Sequence, residues 1–439
     1  MYAQRRLVLG RGLLRNALLG AIALALAWGM VYYYLGVLLS IRNNTELGAW
    51  GIGGYQSDLY PRWLGARELL LHHRNPYSPE ITEEIERGFY GRPIDPAMRP
   101  QVDPEAFAYP VYVTFLLAPL LPFPFEIVKP VFTAILLLLS LATLPLWVYA
   151  LNLRMGRRGW FLAFLGMMSS YSAVEGLRLG QITVLVSFLI AGSLALLGSG
   201  WPMLAGVLLA CAIVKPQLVY LLAAFLLVWS CSEWTSRARF TIGFAVAVAG
   251  LLIGSHLILP GWFEFWWKAV AEYVGWHRGS LLAALLGRPF SIIVSSALIT
   301  LSGLVFWRNR FAPVGSARFN LALVTSLIVT SVILPNAGGG SFYNQMLLIP
   351  AVLWLFTGGR ALARNYRPAR IAWAGAVLGL TAEWLVAFAV SFAALILHYR
   401  FRIEASAFVG APEFLMYAFP AELALFLLCV LSQSLRTHE

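Results

Sequence analysis

Apolar runs of roughly 18 residues or more recur along this chain from end to end, and about 20 such residues are enough to cross a bilayer. The runs are continuous and not alternating, so the spanning elements are helices and not the strands of a barrel. With 60% hydrophobic and 12% charged residues, the chain sits far below the roughly one-quarter charged content of soluble domains. No stretch between the runs is long enough to fold alone, so residues 1–439 are read as one integral membrane unit. The formal charge of +12 does not indicate a nucleic-acid partner. The arginines gather between spans: Arg5, Arg6, Arg11 and Arg15, then Arg154, Arg157 and Arg158, then Arg237 and Arg239, then Arg308 and Arg310, then Arg360, Arg364, Arg367 and Arg370. Such clusters mark cytoplasmic loops and face anionic membrane lipids.

Orientation follows. The first span covers about Asn16 to Leu39, with its basic N-terminus inside, and it lacks a small-residue cleavage site that would make it a signal peptide. The polar segment after it, Asn43 to Tyr112, is then outside. Ser57-Asp58 starts a short amphipathic helix running to about Leu71, with Pro61 in its first turn. Asn75-Pro76-Tyr77-Ser78-Pro79 breaks it, and an acidic helix follows over about Glu80 to Gly88. Helices of this kind lie flat on a membrane. Tyr109-Pro110 then opens an apolar stretch to Leu121 that is short for a crossing, and a long span follows to about Leu151. Keeping Arg154 to Arg158 inside requires the Tyr109 stretch to be a partial dip. Farther on, Trp160 to Ser170 and Thr183 to Leu197 flank a polar patch from Glu175 to Gln181. Met203 to Ser230 is interrupted by Lys215-Pro216-Gln217 and is one broken span or two short ones. Counting every apolar run predicts roughly ten to thirteen transmembrane helices.

The chain has three aspartates, Asp58, Asp95 and Asp103, and all lie in the first polar segment. Asp95 and Asp103 both precede proline, which is turn chemistry. Asp58 has two readings: an acid favoured by a helix N-terminus, or a catalytic base in an outer active site. Lys215 is one of three lysines and lies within an apolar run, where a charge is costly. It is either a cation that snorkels or pairs with Glu175, or a cation for an anionic lipid head group. The run Trp262-Phe263-Glu264-Phe265-Trp266-Trp267-Lys268, continuing to Trp276 and His277, reads as an interfacial helix of the aromatic belt, or as a platform for a sugar ring. Pro335 to Gln345 is a glycine-rich outer loop without a Walker lysine, and its Tyr343, Asn344 and Gln345 are expected to face the cavity. The six histidines show no ligand spacing with Cys or acids, so no metal is expected. The cysteines Cys211, Cys231 and Cys429 suggest no disulfide framework.

Asp58, Tyr109-Pro110, Gly180-Gln181 and Lys215-Pro216, in this order relative to the spans, resemble the polyprenyl-phosphate-dependent glycosyltransferases of the GT-C fold. The closest branch is family 87, which includes mycobacterial phosphatidylinositol-mannoside mannosyltransferases. The resemblance covers about Gln56 to Gln217. The pattern differs at Val111, where a second proline is common, and at Asn344, where an acid or histidine is common. The resemblance implies an all-α polytopic GT-C membrane protein in the plasma membrane. It implies transfer of mannose or a similar sugar from a polyprenyl-phosphate donor to a lipid or glycan hydroxyl, with inversion. Asp58 is then the general base. Lys215, Arg178, Gln181 and Arg288 are expected at the donor phosphate. Tyr109, Glu175, His277, Tyr343, Asn344 and Gln345 are expected to line the substrate cavity. No cofactor is implied. The rival from another class is a transporter or flippase of lipid-linked or small substrates, with Lys215, Glu175 and Arg178 on its path.

Overall fold

The computed structural model describes residues 2–41, 54–92, 94, 105–276, 280–334, 341–364, 366–397 and 407–436. Asp95, Asp103, His277 and the loop residues 335–340 lie outside them. The elements are all helices. Helix α1 (Tyr2–Tyr32) continues as a π-helical turn over Tyr33–Leu38. Two short helices, α2 (Leu59–His72) and α3 (Pro79–Tyr90), precede the five-residue α4 (Val113–Leu117) and the long α5 (Phe125–Ala150). Then come α6 (Arg157–Ser169), α7 (Tyr171–Leu179) and α8 (Ile182–Gly198). Helices α9 (Pro202–Cys211) and α10 (Tyr220–Ser232) are separated by two 3-10 turns that meet at Lys215. The series continues with α11 (Trp234–Ile258), α12 (Trp262–Trp276), α13 (Leu281–Leu286), α14 (Arg288–Asn309) and α15 (Ala317–Ile333). A 3-10 stretch, Phe342–Leu348, leads into α16 (Ile349–Trp354), and α17 (Arg360–Ala363), α18 (Arg367–Leu397) and α19 (Ala407–Arg436) follow.

Among the described residues, seven helical stretches are long and apolar enough to cross a membrane, and the bent pair α7–α8 makes an eighth if taken as one span. Shorter apolar helices at Pro202–Val214, Tyr220–Ser232 and Ala317–Ile333 add to these. The chain is an all-α polytopic membrane protein. The expected ten to thirteen is reached only when the short and bent helices count as spans.

The two ends of the bundle can be told apart from α5. At its start, Phe125 packs its ring on Tyr55, Tyr60 and Trp63, with centroids 4.7, 5.0 and 5.3 Å apart. The helix has 26 residues and is therefore about 39 Å long at 1.5 Å per residue. Asp58 and the start of α2 thus lie at one end, and Arg154, Arg157 and Arg158 at the other. The stretch from Tyr109 to Phe125 begins and ends beside α2, since Tyr109 touches Arg62 and Phe125 touches Tyr60. It enters the bundle and returns, as the dip requires. Lys215 marks another reversal. Leu197, Pro202 and Trp229 line one cavity, so α9 climbs from the far end to Lys215 and α10 descends again. Met203 to Ser230 is therefore two short helices, and Pro216 helps to force the break, because the residue before a proline is pushed out of the helical region.

The first polar segment differs from expectation. Helix α3 has the expected amphipathic form, with Ile81 and Ile85 buried and Ser78 accepting from the Ile81 amide at its start. Helix α2 does not lie flat with a wet face. Ten of its fourteen residues are buried, Arg62 and Glu68 among them. Phe107 covers Gly65, where an added Cβ would come within 2.3 Å of the ring.

Helices α9 and α11 meet backbone to backbone. A Cβ on Gly206 would lie 2.2 Å from the Phe240 carbonyl oxygen, and one on Gly243 would lie 2.2 Å from that of Met203. Small residues of this kind allow close helix approach in membranes. Gly206→Val is expected to destabilise the fold by about 1–3 kcal/mol, the usual cost of overpacking. Gly250→Val is the control, since open space surrounds that glycine on α11. Thermal unfolding of both variants in detergent checks this, with a lowered midpoint expected for Gly206→Val alone.

Candidate active site

Local backbone chemistry places Asp58. The amides of Tyr55 and Gln56 donate to the carbonyls of Gly88 and Phe89 at 3.0 and 3.2 Å, which pins the entry of α2 on the end of α3. The Ser57 hydroxyl donates to the Leu179 carbonyl at 2.9 Å and ties the start of α2 to the end of α7. Asp58 caps α2 by position, but its side chain makes no capping hydrogen bond. Its carboxylate instead accepts from Nε2 of Gln181. The acid therefore stands at a helix N-terminus, where the macrodipole favours it, while Gln181 and not a cap contact orients its side chain.

Gln181 reaches Asp58 because of Gly180. That glycine has φ +67° and ends α7 in the left-handed region, where L side chains are strained. A Cβ there would also sit 2.9 Å from Leu59 Cβ. The chain turns by 117° into α8, and Gln181 is left in an extended conformation. Its side-chain oxygen accepts from Arg62 at 3.2 Å. Arg62 also donates to the Tyr109 hydroxyl and stacks on the Tyr109 ring at 4.4 Å. Burial opposes charge on this guanidinium, yet Tyr109 and the Asp58 carboxylate outweigh it, and its pKa stands above the usual arginine range. Burial pushes the Tyr109 hydroxyl up, against the lowering effect of Arg62, so it remains a neutral phenol at physiological pH.

A second group adjoins the first. Lys215 is 4% exposed and donates to the Thr183 hydroxyl at 2.7 Å and to Oδ1 of Asn344 at 3.0 Å. Its ammonium lies 4.7 Å from the centre of the Tyr343 ring. The charges of Asp58 and Arg62 both reach it. Thus one half-buried carboxylate lies within electrostatic range of a buried guanidinium and a buried lysine amine, at the end of the bundle away from Arg154 to Arg158. This arrangement offers a proton acceptor next to a fixed guanidinium and a lysine amine in a water-poor setting, where charges act strongly.

The structure gathers Asp58, Tyr109, Gln181, Lys215, Tyr343 and Asn344. Glu175 stands behind them, buried, and accepts from the Tyr343 amide at 3.2 Å. Where the sequence offered Glu175 as a partner for Lys215, the structure has Thr183 and Asn344. Arg178 turns the other way. Its Nε donates to the Tyr34 hydroxyl at 2.9 Å, and it lies over the Tyr34 ring. Gln345 donates to the Met416 carbonyl at 2.6 Å and faces α19. Arg288 is an exposed residue at the start of α14. His277 lies outside the described residues. The tryptophan-rich helix α12 buries Trp262 against Tyr112, with ring centroids 5.9 Å apart, and leaves Phe263 and Trp267 exposed. This one-sided burial suits an interfacial helix. Sequence reading missed Arg62 and Thr183. The signal for Arg62 was its place four residues after Asp58, on the same helix face. Among the described residues no three His, Cys, Asp or Glu side chains gather to hold a metal.

No curated protein and no solved structure matches the chain. Comparison with protein families matches residues 107–335, more than half of the 439, to glycosyltransferase family 87. The match includes Tyr109, Gln181, Thr183 and Lys215, while Asp58, Arg62 and Asn344 lie beyond its ends. With this match over helices of membrane-spanning length, the chain belongs to glycosyltransferase family 87 and is a membrane-bound glycosyltransferase.

Proposed function

We propose that this enzyme takes a sugar, mannose or a similar hexose or pentose, from a polyprenyl-phosphate donor. It passes the sugar to a hydroxyl of a lipid or glycan acceptor, with inversion, at the extracytoplasmic face of the plasma membrane. The observation that carries this reading is the juxtaposition of the Asp58 carboxylate with the buried Arg62 guanidinium and the buried Lys215 amine. Asp58 takes the proton from the acceptor hydroxyl as its oxygen attacks the anomeric carbon. The bond from that carbon to the phosphate oxygen breaks, and its electron pair stays with the phosphate. That leaving group carries its own charge and needs no second carboxylic acid to protonate it, in contrast to glycoside hydrolysis. It needs positive charge and donors fixed in advance, which Lys215 and Arg62 supply, with Thr183 and Asn344 holding the lysine in place. Gln181 holds the carboxylate through one arm of its amide and the guanidinium through the other. Tyr109 and Tyr343 form apolar walls, and Glu175 keeps the Tyr343 segment in place.

The test is transfer by the purified protein in detergent, where there are no compartments to transport between. Sugars on polyprenyl monophosphate and on polyprenyl diphosphate are offered with a mixed lipid acceptor extract. Transfer from the monophosphate alone is the expected result. Transfer from the diphosphate alone would make this a ligase or polymerase of diphosphate-linked sugars. No transfer from either, with both lipids bound, would favour a flippase.

A further inference from the structure

Away from the Asp58 group, a cavity of about 500 Å³ opens among α1, α6, α16, α18 and α19, well within the roughly 300–1,000 Å³ of ordinary ligand sites. Its walls are mostly aliphatic and methionine side chains, including Met30, Met155 and Met416. Among the described residues Glu383 is the one charged side chain that lines the cavity, with no lysine or arginine, in a chain of net charge +12. Glu383 is 6% exposed, and its Oε1 is buried with no hydrogen-bond partner among the described residues. Beside it, Oε2 of Glu422 is likewise buried without a partner. Glu422 reaches across from α19 into the notch left by Gly379, where an added Cβ would come within 1.7 Å of that oxygen. Gly379 precedes Glu383 by one helical turn, so the two carboxylates are neighbours along the same face of α18.

Two buried acids with open acceptors inside a membrane protein are met by a proton or by a compensating cation or donor, and the cavity beside Glu383 leaves room for the latter. An inorganic ion such as Ca²⁺ would want six to eight oxygens, and the cavity lining is too apolar to supply them. Trp384 and Tyr171 line the same cavity as Glu383, and the faces of aromatic rings attract organic ammonium groups. We propose that this cavity binds an amphipathic amine. Its protonated ammonium donates to Glu383 beside Trp384, and its apolar chain fills the methionine-lined space. The orphan Oε1 selects an ammonium that carries N–H groups over a quaternary one.

The experiment uses delipidated full-length protein in an uncharged detergent, with radiolabelled dodecylamine as the probe. Dodecanol, dodecyltrimethylammonium and laurate serve as competitors. Dodecylamine is expected to bind at least about tenfold more tightly than dodecanol, as a hydrogen bond to a charged group warrants, with the quaternary amine between them and laurate weakest. Glu383→Gln is expected to bring dodecylamine down to the affinity of dodecanol. Glu383→Asp, which keeps the charge, retains the preference, and Leu380→Trp, which fills the cavity, removes binding of both. Equal affinity for amine and alcohol in the unmodified protein overturns the proposal. So does an amine preference that survives in Glu383→Gln. The readout is binding without turnover, so it stands apart from the donor chemistry at Asp58.

Discussion

Asp58→Asn is expected to lower turnover by at least about 100-fold, the lower end of what a positioned general base contributes. The substitution keeps the shape of the side chain and an oxygen that accepts from Gln181. It removes the capacity to take a proton. Folding is therefore expected to hold, with an unfolding midpoint in detergent close to that of the unmodified enzyme. Donor affinity should hold as well, because Arg62 and Lys215 remain. Asp58→Glu is expected to be slow too, since an added methylene moves the carboxylate by more than an ångström, and errors of that size cost about 100-fold in reactions that depend on geometry. Single-turnover transfer with saturating donor measures both variants. A rate for Asp58→Asn within a few-fold of normal would remove the carboxylate from the chemistry.

The parts of this molecule that are local in origin were legible in the chain. Continuous apolar runs gave the helices, Lys215-Pro216 gave the break between α9 and α10, and the polar patch ending in Gly180-Gln181 gave the interruption before α8. Each is decided by backbone chemistry within a few residues. The direction of the Tyr109 dip was also legible, because the arginine clusters limit the number of crossings. Side-chain facing was not. Arg178 stands three residues before Gln181, but the left-handed Gly180 swings the chain between them, and Arg178 is carried to Tyr34. Tyr343, Asn344 and Gln345 fall in a 3-10 stretch, where successive side chains point about 120° apart. Two of them meet Lys215, and the third meets Met416. Arg62 was hidden for another reason. A helix taken to lie on a membrane surface leaves its arginines in water, and only the packing of Phe107, Tyr109 and Gln181 around α2 buries this one. Thr183 reads as an ordinary helix residue until Lys215 arrives from a separate hairpin.

Lys215→Ala is expected to weaken binding of the phosphate-bearing donor by about 10-fold to 100-fold, as loss of a hydrogen bond to a charged group costs roughly 1.5–3 kcal/mol. The lysine sits at the top of a hairpin whose first arm, Pro202–Val214, is about 20 Å long by its helical rise. That is short of the roughly 30 Å of hydrocarbon, so its charge lies within the bundle, where bulk water does not screen it. An ammonium held by Thr183 and Asn344 is fixed before the donor arrives, and none of its stabilisation is lost to reorganisation at the moment the phosphate leaves. Turnover at saturating donor should therefore fall as well, since the phosphate gains negative charge in the transition state. A structural role predicts a different pattern. Removing a helix-break cation would lower the unfolding midpoint and leave donor affinity in the surviving folded fraction unchanged. Lys215→Arg separates the two further. It restores charge but not the compact ammonium geometry between Thr183, Asn344 and the Tyr343 ring. It is expected to recover part of the donor affinity and little of the rate. Donor titrations of the three proteins, each corrected for its folded fraction, decide between these outcomes.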